Sequence, residues 1–260
     1  MRFFMCLLAL MLLALPVKAA NSLQTLSLLP SPKLVGQAYT QQALLKWQEN
    51  RCMSADETLR RVVVLEGGTG IVLDNRTLLT AYHVVFNRYT RQERAKAIIA
   101  PVWAANAATF TPEVWETAFT ILHKDPQHDV AIIRLTNKTL QGVQPVTLLD
   151  DNTHLVEHAM LAAVGNPGGH DRLEMRPVSY LHTSITSQLE GGASYNGLLP
   201  AQPRMYFAGE AEGGMSGGAL LTCNGQLAGM ITHVATDPNR DFGLWRGLAI
   251  PVSMLNSILR

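Results

Sequence analysis

Apolar residues fall along the chain in short blocks separated by turn formers. Arg61 to Glu66, Gly70 to Leu73, Thr77 to Thr80, Ala97 to Ala100 and Val130 to Leu135 each span four to six residues and are rich in β-branched or aliphatic types. Gly, Asp, Asn or Pro bounds them, and blocks of this length and make-up read as strands. A second set follows Asp150: His158 to Val164, Pro177 to Ile185, Met205 to Ala208, Gly218 to Leu221, Leu227 to Thr232 and Gly247 to Ile250. Asp74-Asn75 and Asn224-Gly225 are hairpin signals between such blocks. Two successive strand-rich halves with little room for crossover helices predict an all-β protein. Helix is expected only at the margins, over Gln41 to Gln48 and over Val252 to Leu259. In the latter, Met254, Leu255, Ile258 and Leu259 share one face behind Pro251.

Composition sharpens this picture. Of 260 residues, 47% are apolar and 16% charged, against roughly 25% charged in ordinary soluble domains, which excludes disorder. Part of the excess lies in Phe3 to Leu15, an unbroken apolar run of thirteen behind Arg2, broken by Pro16 and followed by Val17-Lys18-Ala19-Ala20. That is the layout of a secretory signal ending at Ala19 or Ala20. The run is too short to cross a bilayer, which takes about twenty residues. The expected organisation is a signal over residues 1–19, an N-terminal extension over 20–55 (a structured addition or a pro-segment), and two β-rich units over 56–148 and 149–260. Without the signal, 19 basic residues face 20 acidic ones. No electrostatic case arises for a nucleic-acid partner, and no later run suggests a membrane span in the mature form. The protein is expected to be exported, to the periplasm or the medium. Cys6 leaves with the signal. Cys52 and Cys223 remain, and in an oxidising compartment they either pair or stand as separate thiols.

Three places carry chemistry. Thr80-Ala81-Tyr82-His83-Val84-Val85 puts a histidine just past a strand; His128-Asp129-Val130-Ala131 puts an acid at the mouth of another; Gly213-Gly214-Met215-Ser216-Gly217-Gly218 surrounds a serine with glycines. A serine hydroxyl is a weak nucleophile until an imidazole takes its proton, and the imidazole needs a carboxylate to fix its tautomer. His83, Asp129 and Ser216 supply these roles in that order, separated by 46 and then 87 residues. The N-H groups of Gly214 and Ser216 are candidates for an oxyanion hole. Each element alone is commonplace; their joint order in a β-rich chain is the signal. An α/β-hydrolase would instead run Ser, Asp, His.

Gly68-Thr69-Gly70-Ile71-Val72, Leu79 to Val85, Asp129 to Ile133, Ala162 to Gly169, Gly214 to Leu221 and Gly247 to Pro251 together resemble bacterial trypsin-like serine proteases, nearest the HtrA (Deg) group. The resemblance runs from about Arg61 to the C-terminus. It implies a chymotrypsin-like double β-barrel with a short C-terminal helix, the site lying in the cleft between barrels, and protein or peptide substrates cut through an acyl-enzyme on Ser216. The chain also departs from the pattern. Met215 stands where digestive enzymes of this kind carry the aspartate that pairs with a new N-terminus, so activation by such an ion pair is not expected. Ala219 replaces a usual proline and Tyr82 a usual small residue, and a chain ending at Arg260 implies no PDZ domain.

The same alignment sets Glu210 near the floor of the primary specificity pocket, with Val234 and Gly247 on its walls. A carboxylate there would favour Lys or Arg before the scissile bond; Glu210 and Glu212 as solvent-facing loop acids are the alternative. His233 would lie at the rim. The other histidines, His123, His128, His154, His158, His170 and His182, show no metal-ligand spacing, and neither a metal nor any cofactor is expected. The rival to a protease is a catalytically silent protease-fold binding or chaperone-like protein.

Overall fold

The computed structural model describes residues 32–87, 90, 92–94, 96–99, 115–150, 152–169, 172–186, 202–209, 211–235 and 246–259. The expected export signal, His170 and Glu210 lie outside these residues.

The extension enters with α1 (Pro32–Glu49), longer than the expected Gln41 to Gln48 because Pro32, suited to a first helical turn, opens it. A short α2 (Ala55–Leu59) follows, opened by a capping box in which the side chains of Ser54 and Glu57 each accept from the other's backbone N-H. Trp47 is buried, and its Nε1-H donates to the Met53 carbonyl at 2.8 Å. Cys52 is bonded to Cys223, and Met53 N-H donates to the Cys223 carbonyl at 2.9 Å. From Trp47 onward the extension is therefore built into the domain.

The first sheet comprises β1 (Val62–Leu65), β2 (Gly68–Val72), β3 (Thr77–Ala81), β6 (Lys96–Ile99), β7 (Trp115–Asp125) and β8 (Val130–Leu135), in the order β1-β2-β3-β8-β7-β6. Its two edge strands approach each other and close a six-stranded barrel. One helical turn, α3 (Tyr82–Val85), and a small hairpin, β4 (Phe86–Asn87) with β5 (Gln92–Glu93), sit between β3 and β6. β1, β2 and β3 are buried throughout. Covered on both faces, they carry apolar, Gly and Thr residues without a polar-apolar alternation. The β2-β3 turn is set by Asp74, whose Oδ1 accepts from the N-H of Arg76 (2.7 Å) and of Thr77 (2.8 Å).

The second sheet comprises β9 (Thr147–Leu148), β10 (Met160–Gly165), β11 (Glu174–Thr186), β12 (Gln202–Ala208), β13 (Ala219–Thr222), β14 (Gln226–Ala235) and β15 (Arg246–Pro251). Its order is β13-β10-β11-β12-β15-β14-β9, and a further β13-β14 pairing closes it on itself. Leu161, Met205, Phe207, Met215, Leu220, Ile231 and Ala249 are among the residues of its core. β11 starts before Pro177, where the sequence suggested a boundary. Its pairing with β12 begins only at Ser179, so the proline lies where one edge of β11 has no β12 partner to supply. The chain then forms α4 (Val252–Leu259), which buries Leu255 against the core as its apolar face predicted.

Candidate active site

β3 ends at Ala81 opposite Val130, the first residue of β8. That register brings the turn after one strand against the turn before the other, so His83 on α3 meets Asp129. Asp129 has a left-handed backbone (φ 62°), a conformation an aspartate tolerates better than most residues. It is held by Tyr82 N-H donating to its carbonyl (3.1 Å) and His83 N-H donating to its Oδ1 (3.0 Å). The other carboxylate oxygen lies 2.8 Å from His83 Nδ1. A carboxylate only accepts, so Nδ1 carries the proton and Nε2 presents its lone pair. Burial alone would push the imidazole down; the charge and hydrogen bond of Asp129 outweigh it and hold the imidazole above its ordinary 6.5. Tyr82 is buried and stacks on Phe86 with ring centroids 5.3 Å apart. The turn thus accommodates the large residue at this position.

The serine loop is shaped by its glycines. Gly214 (φ 91°) and Gly217 (φ 80°) are left-handed, and a side chain on either would strike backbone atoms of Asn166 and Gly169, or of Thr69. Four successive carbonyls are each held. Gly168 N-H donates to that of Gly213 (2.7 Å), Thr69 Oγ1-H to that of Gly214 (3.0 Å), Gly218 N-H to that of Met215 (2.9 Å) and Thr69 N-H to that of Ser216 (2.8 Å). In a planar trans peptide the N-H points opposite to its carbonyl. The N-H groups of Gly214 and Ser216 are consequently turned away from these anchors, and neither has a partner among the described residues. Both residues are half-exposed. Met215 is fully buried in the second core, where packing anchors the loop in place of an ion pair. Ser216 Oγ-H donates to the Thr232 carbonyl at 3.0 Å rather than to His83.

Two further contacts brace the loop. Glu212 is paired with Arg176 of β11 at 3.1 Å, and Arg176 is paired in turn with Glu174 at 2.8 Å. Thr69, fully buried in β2, carries a weak signal in the sequence, a polar residue between two glycines in an otherwise apolar strand, which does not point to the serine loop.

Of the expected pocket walls, Gly247 is buried and the tip of the Phe207 ring occupies the place a side chain there would take. Val234 pairs with Gly247 across the sheet, and His233 with Leu248. Arg204 is fully buried on β12, its guanidinium nitrogens have no hydrogen-bond partner among the described residues, and burial pushes it down to about 10 against the opposing charge of Asp129. Among the other histidines, His128 bonds Asp125 in the turn leading to Asp129, and His182 stacks on Tyr206 with centroids 4.7 Å apart. Among the described residues no group of His, Cys, Asp and Glu is arranged to hold a metal, and no helix is long and apolar enough to cross a membrane.

The periplasmic serine endoprotease DegP of Salmonella typhimurium is 26% identical over 196 residues, covering 74% of this chain and 34% of that protein. The chain thus spans about a third of the length of that relative. The active form of the Rv3671c protease from M. tuberculosis matches with a TM-score of 0.57 at 19% identity, over 77% of this chain and 79% of that one. The HtrA-type protease AlgW, solved with a decapeptide, matches with a TM-score of 0.53 at 21% identity, over 74% of this chain and 50% of that one. The fold is the chymotrypsin-like double β-barrel with a short C-terminal helix. Residues 68–230, more than half of the chain, match the model of the trypsin-like peptidase domain, and the chain belongs to that family.

Proposed function

We propose that the protein is an exported serine endopeptidase, with Ser216 as nucleophile, His83 as general base and then acid, and Asp129 orienting the imidazole. The observation that carries this reading is the serine loop, in which four carbonyls are held and the N-H groups of Gly214 and Ser216 are left without partners among the described residues. Rotation about χ1 moves the Ser216 hydroxyl from the Thr232 carbonyl to His83 Nε2. As Oγ attacks the substrate carbonyl carbon, its proton passes to Nε2, and the carbonyl π electrons collect on oxygen as an oxyanion facing the two N-H groups. Losing one such donor typically costs about 3 kcal/mol of transition-state stabilisation. The imidazolium, stabilised by Asp129, then protonates the leaving amine. The acyl-enzyme is released by water through the same sequence in reverse roles.

The substrate is proposed to be a protein or peptide, a class that the decapeptide bound by AlgW supports. Phe207 packs on Gly247, so a specificity pocket walled by Gly247 would be shallow there and would favour a short residue before the scissile bond over Lys or Arg. Export is supported by the Cys52–Cys223 disulfide and by the periplasmic relative. N-terminal sequencing that finds Asn21 or Ala20 first supports it, and an intact Met1 on the isolated protein refutes it.

A peptidyl phosphonate that modifies activated serines tests the central reading. The mature protein should be labelled and the Ser216→Ala variant should not. Folded protein that resists labelling and cleaves no peptide would favour the silent binding module.

A further inference from the structure

We infer that Thr69 is a positioning residue for the oxyanion hole, acting from the first barrel on the serine loop of the second; this rests on the protease reading above. Two adjacent glycines, Gly213 and Gly214, give the loop the freedom to turn a peptide over, which would replace an N-H in the hole with a carbonyl. The loop must therefore be fixed from outside. Thr69 supplies two of the four anchors: its N-H donates to the Ser216 carbonyl (2.8 Å) and its Oγ1-H to the Gly214 carbonyl (3.0 Å). The hydroxyl has one proton and two lone pairs. Its acceptor side takes the N-H of Asn166 at 3.0 Å, a residue whose own carbonyl lies against Gly214. One oxygen thus joins the serine loop to the turn after β10, and Gly168 of the same turn holds the Gly213 carbonyl.

Thr69 is itself immobilised. It is fully buried, lies on a strand paired with both its neighbours, and its carbonyl accepts from Thr80 Oγ1 at 2.7 Å. Thr80 precedes His83 by three residues on the strand that leads into α3. The chain of contacts Thr80, Thr69, Gly214 therefore sets the oxyanion donors at a fixed place relative to the imidazole, across the junction of the two barrels.

The test compares Thr69→Val, Thr69→Ala and Thr69→Ser in the mature protein, against wild type, with a chromogenic peptide. Valine keeps the shape and removes the donor, leaving the Gly214 carbonyl and Asn166 N-H without their partner. We expect kcat to fall about 10- to 100-fold with KM changed by less than about 3-fold, since only transition-state stabilisation is lost. Thr69→Ser should restore kcat to within about 3-fold of wild type. A second readout is independent of turnover. In the adduct of a carbon-13-labelled peptidyl chloromethyl ketone with Ser216, the oxyanion titrates in the NMR spectrum, and its pKa should rise in Thr69→Val and return in Thr69→Ser.

Wild-type kcat and oxyanion titration in Thr69→Val or Thr69→Ala would overturn the proposal while leaving the protease reading intact. Failure of both variants to fold would also overturn it, by making the hydroxyl a requirement of the whole domain. A wild-type protein that neither turns over peptide nor forms the adduct fails the protease reading and this inference with it.

Discussion

His83 and Asp129 belong to one barrel and are brought together by the register of two paired strands, β3 and β8, with the carboxylate making two hydrogen bonds to a single residue. The Ser216 loop belongs to the other barrel and is held by groups from elsewhere: Thr69 of β2, Gly168 of the turn after β10 and, through Glu212, Arg176 of β11. One half of the candidate site is fixed by local charge and strand pairing. The other is a glycine-rich segment whose shape is an outcome of tertiary contacts. A segment of this second kind opens at lower free energy than a buried strand pair. Conditions that loosen the domain should therefore disturb the serine side first and leave the histidine side standing.

Asp129→Asn breaks the well-fixed half and carries the largest expected effect. An amide can donate to Nδ1 and hold the wrong tautomer, so kcat should fall by about 10^4-fold. The pH profile gives the sign. The base must be neutral, and the native imidazole titrates above its ordinary 6.5, so wild-type kcat/KM should decline as pH falls through that raised value. In the variant the carboxylate charge is gone and burial remains, and burial lowers an imidazole. The acid limb of the residual activity should move down, below 6.5. A residual activity whose acid limb stays in place would mean that His83 is not the group being titrated.

Cys52→Ser sharpens the contrast by removing a covalent tie beside the other half. The Cys52–Cys223 bond spans 171 residues and ties the extension to the β13-β14 hairpin, just past the serine loop. Removing a bridge over a loop of this size costs about 3–5 kcal/mol by the chain-entropy account. The urea midpoint should fall, and the unfolding free energy extrapolated to water should drop by that amount. Hydrogen exchange should accelerate at Gly217 N-H and Ile231 N-H, whose bonds join the loop to β14, before it changes at Ala81 and Val130. Equal acceleration on both sides would contradict the division drawn above.

The same division explains what the sequence disclosed. The strands of the first barrel are apolar on both faces and bounded by turn formers, so Val62 to Leu65 and Val130 to Leu135 stand out. β7 did not, because Glu116, Thr117, Thr120, His123 and Lys124 break up its apolar residues. The candidate triad is legible because His83, Asp129 and Ser216 each sit in a distinctive local setting. Thr69, Arg176 and Glu212 are not, since nothing local to them says that they meet the serine loop; their partners lie 145, 36 and 36 residues away. α2 was missed for a plainer reason: five residues are too few for a periodic signal, although Ser54 and Glu57 form a recognisable cap.

Arg204 tests the comparison at its quietest point, the buried ground behind Asp129. A fully buried guanidinium with no hydrogen-bond partner among the described residues is costly, and at neutral pH the charge of Asp129 offsets only part of its desolvation. Arg204→Met keeps the bulk, loses the charge and should stabilise the fold by about 1–3 kcal/mol at neutral pH. The pH dependence fixes the cause. Burial lowers the folded-state value from the ordinary guanidinium range to about 10, so above about pH 10 the unfolded chain holds more protons and the wild type gains stability as pH rises. The advantage of the methionine variant, measured as the difference between the two proteins' urea midpoints, should be constant below about pH 10 and shrink above it. An advantage that is absent at neutral pH would mean that the charge of Asp129 fully offsets the burial of Arg204. Arg204 would then count with Asp129 as part of the fixed half of the site, and the boundary between the two halves would move into the second barrel.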